Sequence, residues 1–283
     1  MFSSALISAI LQNFAIRAVI YRKSRIMSTL TGTHVIVIGG TAGIGLAVAL
    51  QAVASGARVT VASSSPARIE SAVKTIQTSS PSTSKDMIHG EQLDLSDPET
   101  YKEKLDKLFS SAAAKQQVTH VVYTAGDRIP ITPIESLTLD DIQVAIKMRM
   151  IAPMLVVQTA VKYLPRSPAS SIILTNGAAA EKAPPGGWSP TAFLAGGLKS
   201  LAKALAVELK PIRINVVQPG VVDTGLWDFM GEAKGPAMGQ MAQASLTGRV
   251  GKPEDVARAY MWLMTDSFVT GTTAQSDGGY FLV

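Results

Sequence analysis

Three glycines, Gly39, Gly43 and Gly45, follow directly on the β-branched run His34–Ile38 and open an apolar helical stretch. At that spacing the first glycine permits a tight turn, the second lets a pyrophosphate approach the backbone, and the third lets helix and strand pack closely. Thr41, Ala42 and Ile44 complete the turn, so the helix start presents oriented N–H donors to an anion. The constellation predicts a nucleotide site; glycines needed only for a sharp turn are the plainer alternative. The next β-branched run ends in Ser63-Ser64-Ser65, with Arg68 one helical turn further on. A carboxylate at that strand end would bind ribose hydroxyls and repel a 2′-phosphate. Hydroxyls, amides and a cation without a carboxylate suit the phosphate, which predicts NADP(H) over NAD(H). The alternative is a serine-rich loop before Pro66, with Arg68 turned to solvent.

Other chemistries are excluded by composition. No cysteine occurs in the 283 residues, so disulfides, thiolate nucleophiles and cysteine-ligated zinc are ruled out. His34, His89 and His120 are the only imidazoles, too few for a histidine-rich metal site. The formal net charge is +5, and Arg17, Arg22, Lys23 and Arg25 carry four of those charges before the first acidic residue, Glu70. Beyond residue 26 the charges nearly balance and are scattered, so the chain carries no nucleic-acid footprint. Residues 1–26 are apolar, basic and free of acids, a composition that fits a mitochondrial presequence or an extension without structural role. Their uncharged run, Met1–Ile16, is shorter than the ~20 residues of a membrane span. Met27 reads as a natural domain start. Translation from it predicts a cytoplasmic protein, and synthesis of the leader allows a mitochondrial one.

With 47% hydrophobic and 17% charged residues, the chain has the composition of a folded globular protein. Strands are predicted at 34–40, 58–64, 87–95, 119–126, 171–177, 213–220 and near 272–276. Helices are predicted at 43–57, from about Pro66, after a cap at Asp97, over about Asp140–Leu164, at Pro190–Leu209 and at Pro253–Thr265. Strands separated by helices of this length imply βαβ units with right-handed crossovers. The expectation is α/β: a single doubly wound Rossmann-fold domain, residues 27–283, with a parallel sheet and helices on both faces. The Met-containing stretch Asp228–Thr247 reads as an adaptable substrate lid, about 224–248, or as an ordinary surface helix. Gly186, Gly187 and Gly235 would let these loops move.

Over residues 31–283 the chain resembles the short-chain dehydrogenase/reductase family. IGGTAGIG (38–45) is similar to its TGxxxGIG signature, and YTAG (123–126) stands where NNAG is usual. The resemblance implies that Asp94-Leu95 contact adenine and that Ala125-Gly126 line the cofactor. It also implies that Pro219, Gly220, Val222 and Thr224 face the nicotinamide carboxamide and the diphosphate. GRVGKPEDVA (248–257) and TGTTAQSDGG (270–279) resemble the closing segments. Homodimers or homotetramers through the long fourth and fifth helices are implied in the same way.

The family's catalytic tetrad does not carry over. Its tyrosine and lysine positions fall on Thr191 and Ala195, its serine on Gly177 and its asparagine on Arg149. Independently of that alignment, none of the six tyrosines has a lysine four residues on. Reducing a neutral ketone builds an alkoxide, and losing a positioned acid costs ~10²–10⁴ in rate. Three readings remain. The substrate is preactivated, an iminium or conjugated acceptor; or other residues supply the acid; or the chain binds NADP(H) without turnover, as a cyclase, scaffold or regulator.

The candidates are Asp127 with Arg128 after the fourth strand, Asn176 and Trp188 after the fifth, and Arg149 in place of the asparagine. Asp127 and Arg128 read equally as a solvated loop pair, Arg149 as a structural ion pair, and Trp188 as packing. In detail the chain resembles fungal biosynthetic members, the reductase-cyclases of malbrancheamide- and paraherquamide-type pathways. They share the Arg–x–x–Ala-Pro-Met-Leu helix (149–155) and the Gly186-Gly187-Trp188 loop. The acidic residue of that loop is Pro185 here, so their cyclisation does not simply transfer. The resemblance implies a bulky apolar substrate in secondary metabolism.

Overall fold

The computed structural model describes residues 29–126, 129 and 131–283. The leader and the candidates Asp127 and Arg128 lie outside the described residues. The described strands are β1 (His34–Ile38), β2 (Arg58–Ser63), β3 (Ile88–Gln92), β4 (His120–Tyr123), β5 (Ser171–Thr175), β6 (Arg213–Pro219) and β7 (Thr273–Ser276). They form one sheet in the order β3-β2-β1-β4-β5-β6-β7, parallel at every pairing. The order reverses between β1 and β4, so the connections that follow them leave toward opposite faces of the sheet and open the crevice in which such sheets bind ligand.

Alternation along the strands builds two cores. Val35, Val37, Val59 and Val61 face α1 (Gly43–Ala54), α2 (Pro66–Ser79) and the last helix, Pro253–Thr265. Ile36, Val121, Ile172, Leu174 and Val216 face the other way, against α3 (Tyr101–Lys115) and the helices that follow β4 and β5. A parallel sheet covered on both faces needs such continuous β-branched runs, which is why β1 is buried at every position.

The helix expected over Asp140–Leu164 is broken into three parts. Thr138 and Asp141 form a reciprocal capping box at the start of α4 (Leu139–Ile146). A π turn, Lys147–Ile151, separates it from α5 (Ala152–Ala160). Pro153 is the cause: without an N–H it cannot bond to the Arg149 carbonyl, and its ring crowds that carbonyl. The Ala152 amide donates instead to Lys147, five residues back. The third strand is shorter than expected, because Asp94 accepts the Ser96 amide at 3.0 Å and turns the chain out of the sheet. Asp97 caps a short turn, Pro98–Thr100, from which α3 follows.

The remaining helices are α6 (Ser189–Glu208), α7 (Lys234–Gln243) and α8 (Pro253–Thr265). Arg213 at the start of β6 is buried and forms no ion pair among the described residues. Its guanidinium donates to the carbonyls of Leu263, Met264 and Val269 at 2.5–3.2 Å, closing the C-terminal end of α8. The lid stretch is a run of tight turns, Gly225–Ala233, leading into α7. Lys234 ties it to the body through the Thr224 carbonyl (3.2 Å) and the carboxylates of Asp223 (3.1 Å) and Asp228 (2.8 Å).

Candidate active site

The glycine turn is locked to the sheet by contacts that admit no side chain. Gly39 has φ +86°, and a Cβ there would lie 2.5 Å from the Ala125 amide nitrogen. A Cβ on Gly45 would strike the Gly39 carbonyl and the Thr124 hydroxyl. The turn thus lies against Ala125, and Gly126 follows at the lip of the crevice. Gly43, at φ +50°, meets the Thr224 methyl, so two segments far apart in sequence share one wall. Ala42 is the N-cap of α1 and offers no side-chain hydrogen bond, which leaves the first amides of the helix for an anion. Thr41 and Ile44 are half-buried on either side.

At the end of β2, Arg68 folds back on the serines. Its Nη2 donates to Ser64 Oγ at 3.2 Å, and its amide donates to Ser65 Oγ at 3.4 Å, capping α2. Ser63 accepts the Leu93 amide through its carbonyl. A cation and hydroxyls are held together there at an exposed edge. Asp94 and the buried Leu95 follow β3 on the same side. The set fits the adenosine end of a dinucleotide.

On the other side, Pro219 ends β6, and the Gly220 amide donates to Ser276 at 3.0 Å. Val222 is buried and accepts the Trp227 indole N–H at 3.0 Å, while Thr224 caps the lid turns. Fixing this segment sets Thr224 against Gly43 of the glycine turn.

Arg149 projects from the π turn to the lip. Its two terminal nitrogens would lie 4.0 Å from a Cβ on Gly126. Tyr123 holds the turn in place by donating to the Met148 carbonyl at 2.7 Å. Asn176 follows β5; its Oδ1 accepts the Gly177 amide at 2.8 Å, while its buried Nδ2 has no partner among the described residues. Arg149, on the π turn beside Gly126, and Asn176, directly after β5, stand at the C-terminal edge of the sheet.

Trp188 lies beside them in sequence order but lines its own cavity. That cavity, about 530 Å³, is bounded by Pro133, Ile134, Pro184 and Ala192. The Thr132 amide donates to Gly187 at 2.9 Å, and a Cβ on Gly187 would strike the Thr132–Pro133 backbone. Glycine at 187 thus serves close packing with positive φ. Pro185 is exposed.

Of the other described tyrosines, Tyr101 bonds the Leu95 carbonyl, Tyr163 the Asp106 carbonyl, and Tyr260, buried on α8, the Thr175 hydroxyl at the end of β5. Tyr280 lies under the Lys182 ammonium, 4.9 Å from its ring centre. Thr191 and Ala195 are both buried on α6. The imidazoles lie elsewhere: His34 and His120 begin β1 and β4, at the edge opposite the crevice. Sequence reasoning missed Gln218 in β6, fully buried with both amide atoms unpartnered among the described residues. Its signal was available: a long polar residue inside an otherwise apolar strand end.

A parallel sheet with this strand order and a glycine turn at its switch point defines a dinucleotide-binding domain. A family model described as an SDR-like Rossmann domain matches residues 26–283, and the chain belongs to the short-chain dehydrogenase/reductase family. It is similar to the short-chain dehydrogenase/reductase malC of Malbranchea aurantiaca, with 37% identity covering 92% of this chain and 98% of that one. It is also similar to the short-chain dehydrogenase/reductase ATR9 of Stachybotrys chlorohalonatus, with 39% identity covering 90% of this chain and 100% of that one. Among solved structures, the MalC reductase/Diels-Alderase of Malbranchea aurantiaca superposes with TM-score 0.84 at 36% identity, covering 90% of this chain and 98% of the other. The family is one of nicotinamide-dependent oxidoreductases. No described helix is long and apolar enough to cross a membrane.

Proposed function

We propose that the chain is an NADP(H)-dependent reductase acting on a bulky, apolar, preactivated C=N or C=C group in secondary-metabolite biosynthesis. The observation that carries this reading is the chemistry of the crevice lip: the Arg149 guanidinium beside Gly126 and the Asn176 amide, without a tyrosine–lysine pair. A cation and a neutral amide orient and polarise, but neither is a good proton donor near neutral pH. The substrate's own electron deficiency must then drive the reaction.

When bound, the reduced dinucleotide supplies a hydride. Ser64, Ser65 and Arg68 hold its 2′-phosphate, and the amides opening α1 hold the pyrophosphate. For a conjugated carbonyl, negative charge grows on oxygen, and Arg149 stabilises it. For an iminium, charge disappears on reduction, and the Trp188 face stabilises the cation beforehand. The cavity beside Trp188 takes the apolar body of the substrate; the stretch 224–248, which begins at the Thr224 wall of the glycine turn, covers the crevice. Asp127 remains a candidate acid of the neighbouring loop. Exposed Val144 on α4, Phe193 and Val207 on α6 support a homodimer or homotetramer formed through these helices.

The likeness to the MalC reductase/Diels-Alderase of Malbranchea aurantiaca favours a second reading, a non-redox cyclase or scaffold on the same fold. Deuterium tracing separates the two. Candidate iminium or enone substrates incubated with 4-deuterated NADPH acquire one deuterium at carbon if the chain is a reductase, and Arg149→Ala slows that labelling of an enone by ~10²-fold or more. Product formed without label sinks the redox reading.

A further inference from the structure

Gln218 is the penultimate residue of β6 and has no exposed surface. Neither Oε1 nor Nε2 of its carboxamide has a hydrogen-bond partner among the described residues. Buried polar groups are almost always paired, so an orphaned donor and acceptor on one side chain need a physical reason. Asn176 is its neighbour across the sheet. β5 and β6 are in register at Thr175 and Val217, and the Asn176 amide donates to the Val217 carbonyl at 2.9 Å. One further step of that ladder sets residue 176 beside residue 218.

Alternation then decides the face. Leu174 and Val216 belong to the core under α6, so Asn176 and Gln218, two positions on, share that face. Leu198 and Ala202 of α6 join the same core as Val216 and Ile214. Two strand residues rise about 6.6 Å, roughly four helical residues, so the helical turn above Gln218 is Leu194–Ala195. Leucine and alanine offer the carboxamide nothing. The Asn176 Nδ2, also buried, is orphaned in the same way. The C-terminal sheet edge thus holds two amide donors and one amide acceptor, uncharged and buried, directly before Pro219-Gly220, the segment that the dinucleotide reading sets against the reacting end of the cofactor.

We propose that Gln218 and Asn176 form a neutral amide subsite for the nicotinamide half of the dinucleotide, taking its carboxamide or its ribose diol. Each of those groups pairs a donor with an acceptor, the complement of a side-chain amide. The subsite rests on the dinucleotide reading above. It orients the cofactor without lending a proton, which suits a site that lacks an acid.

Binding and stability of Gln218→Met test it together. NADPH is titrated by quenching of tryptophan fluorescence, and adenosine 2′,5′-bisphosphate, which lacks the nicotinamide half, is titrated by calorimetry. The expected result is an NADPH Kd about tenfold weaker with the bisphosphate Kd within twofold of wild type. The ligand-free variant should also melt a few degrees higher, because an unpaired buried amide has been replaced by an apolar chain of similar length. Asn176→Ala, which removes Nδ2 together with the Oδ1 that accepts the Gly177 amide, should show the same selective weakening and stands in if the methionine variant fails to fold. Unchanged NADPH affinity in these variants, or equal weakening of both ligands, overturns the subsite while leaving the dinucleotide reading intact. Wild-type protein that binds neither ligand overturns both.

Discussion

Arg68 is an exposed cation, yet its position is set by the hydroxyl of Ser64 and by its own amide on Ser65. A guanidinium pre-placed among hydroxyls loses little freedom when a phosphate arrives. Arg68→Ala should therefore weaken NADPH about tenfold and leave NADH nearly unchanged, a contrast read by fluorescence titration. NADH binding at least as tightly as NADPH in the wild type would contradict the serine-loop argument. The residue types at this strand end were legible in the sequence. That Arg68 turns toward the serines, and not to solvent, required the fold of α2.

The glycine turn and the π turn show two ways in which an element places a residue. Gly39 is required by both its φ of +86° and the Ala125 backbone, so a methyl group there has nowhere to go. Gly39→Ala should cost at least 2–3 kcal/mol in urea denaturation and abolish dinucleotide binding. A loss under 1 kcal/mol would show that the turn is looser than its contacts imply. The π turn could not be foreseen from periodicity, because the apolar pattern over 139–164 is that of an uninterrupted helix. Pro153 was the visible signal. Its effect falls four residues earlier, on the carbonyl of Arg149, and so widens the turn that carries the candidate catalytic cation.

At the scale of the whole molecule, the sheet has two chemically different edges. Its C-terminal edge gathers the glycines, Arg149, Asn176 and Gln218, while its N-terminal edge buries imidazoles. Burial pushes His34 down to about 4, against the partly opposing effect of the hydrogen bond its ring donates to the Gln116 carbonyl, and pushes His120 down to about 3. Both are neutral when folded and take up a proton near 6.5 when unfolded, so the unfolded state binds more protons on acidification. Stability should be level above pH 6.5, fall as pH drops toward 4, and keep falling toward 3. Over its window the effect is on the order of 3 kcal/mol for His34 and 5 kcal/mol for His120. Urea denaturation at pH 7 and pH 4.5 measures it, and His34→Gln should flatten part of the slope. Equal stability at the two pH values would mean that neither ring is buried neutral.

The linear chain by itself determined the fold class, the strand and helix order and the cofactor turn. These follow from local periodicity and from glycines whose need for positive φ or close approach is written into their neighbours. It also showed the missing tyrosine–lysine pair, since that motif depends only on spacing along one helix. Tertiary structure decided what sits beside what. Gly43 meets Thr224, Gly126 meets Arg149, and Asn176 lies next to Gln218, each across long stretches of sequence. Parallel strand register and the face each side chain takes set those pairs, and a one-residue slip would reverse them. Gln218 is the clearest case: in sequence it is one polar residue in an apolar run, and only burial without a partner marks it as a ligand group.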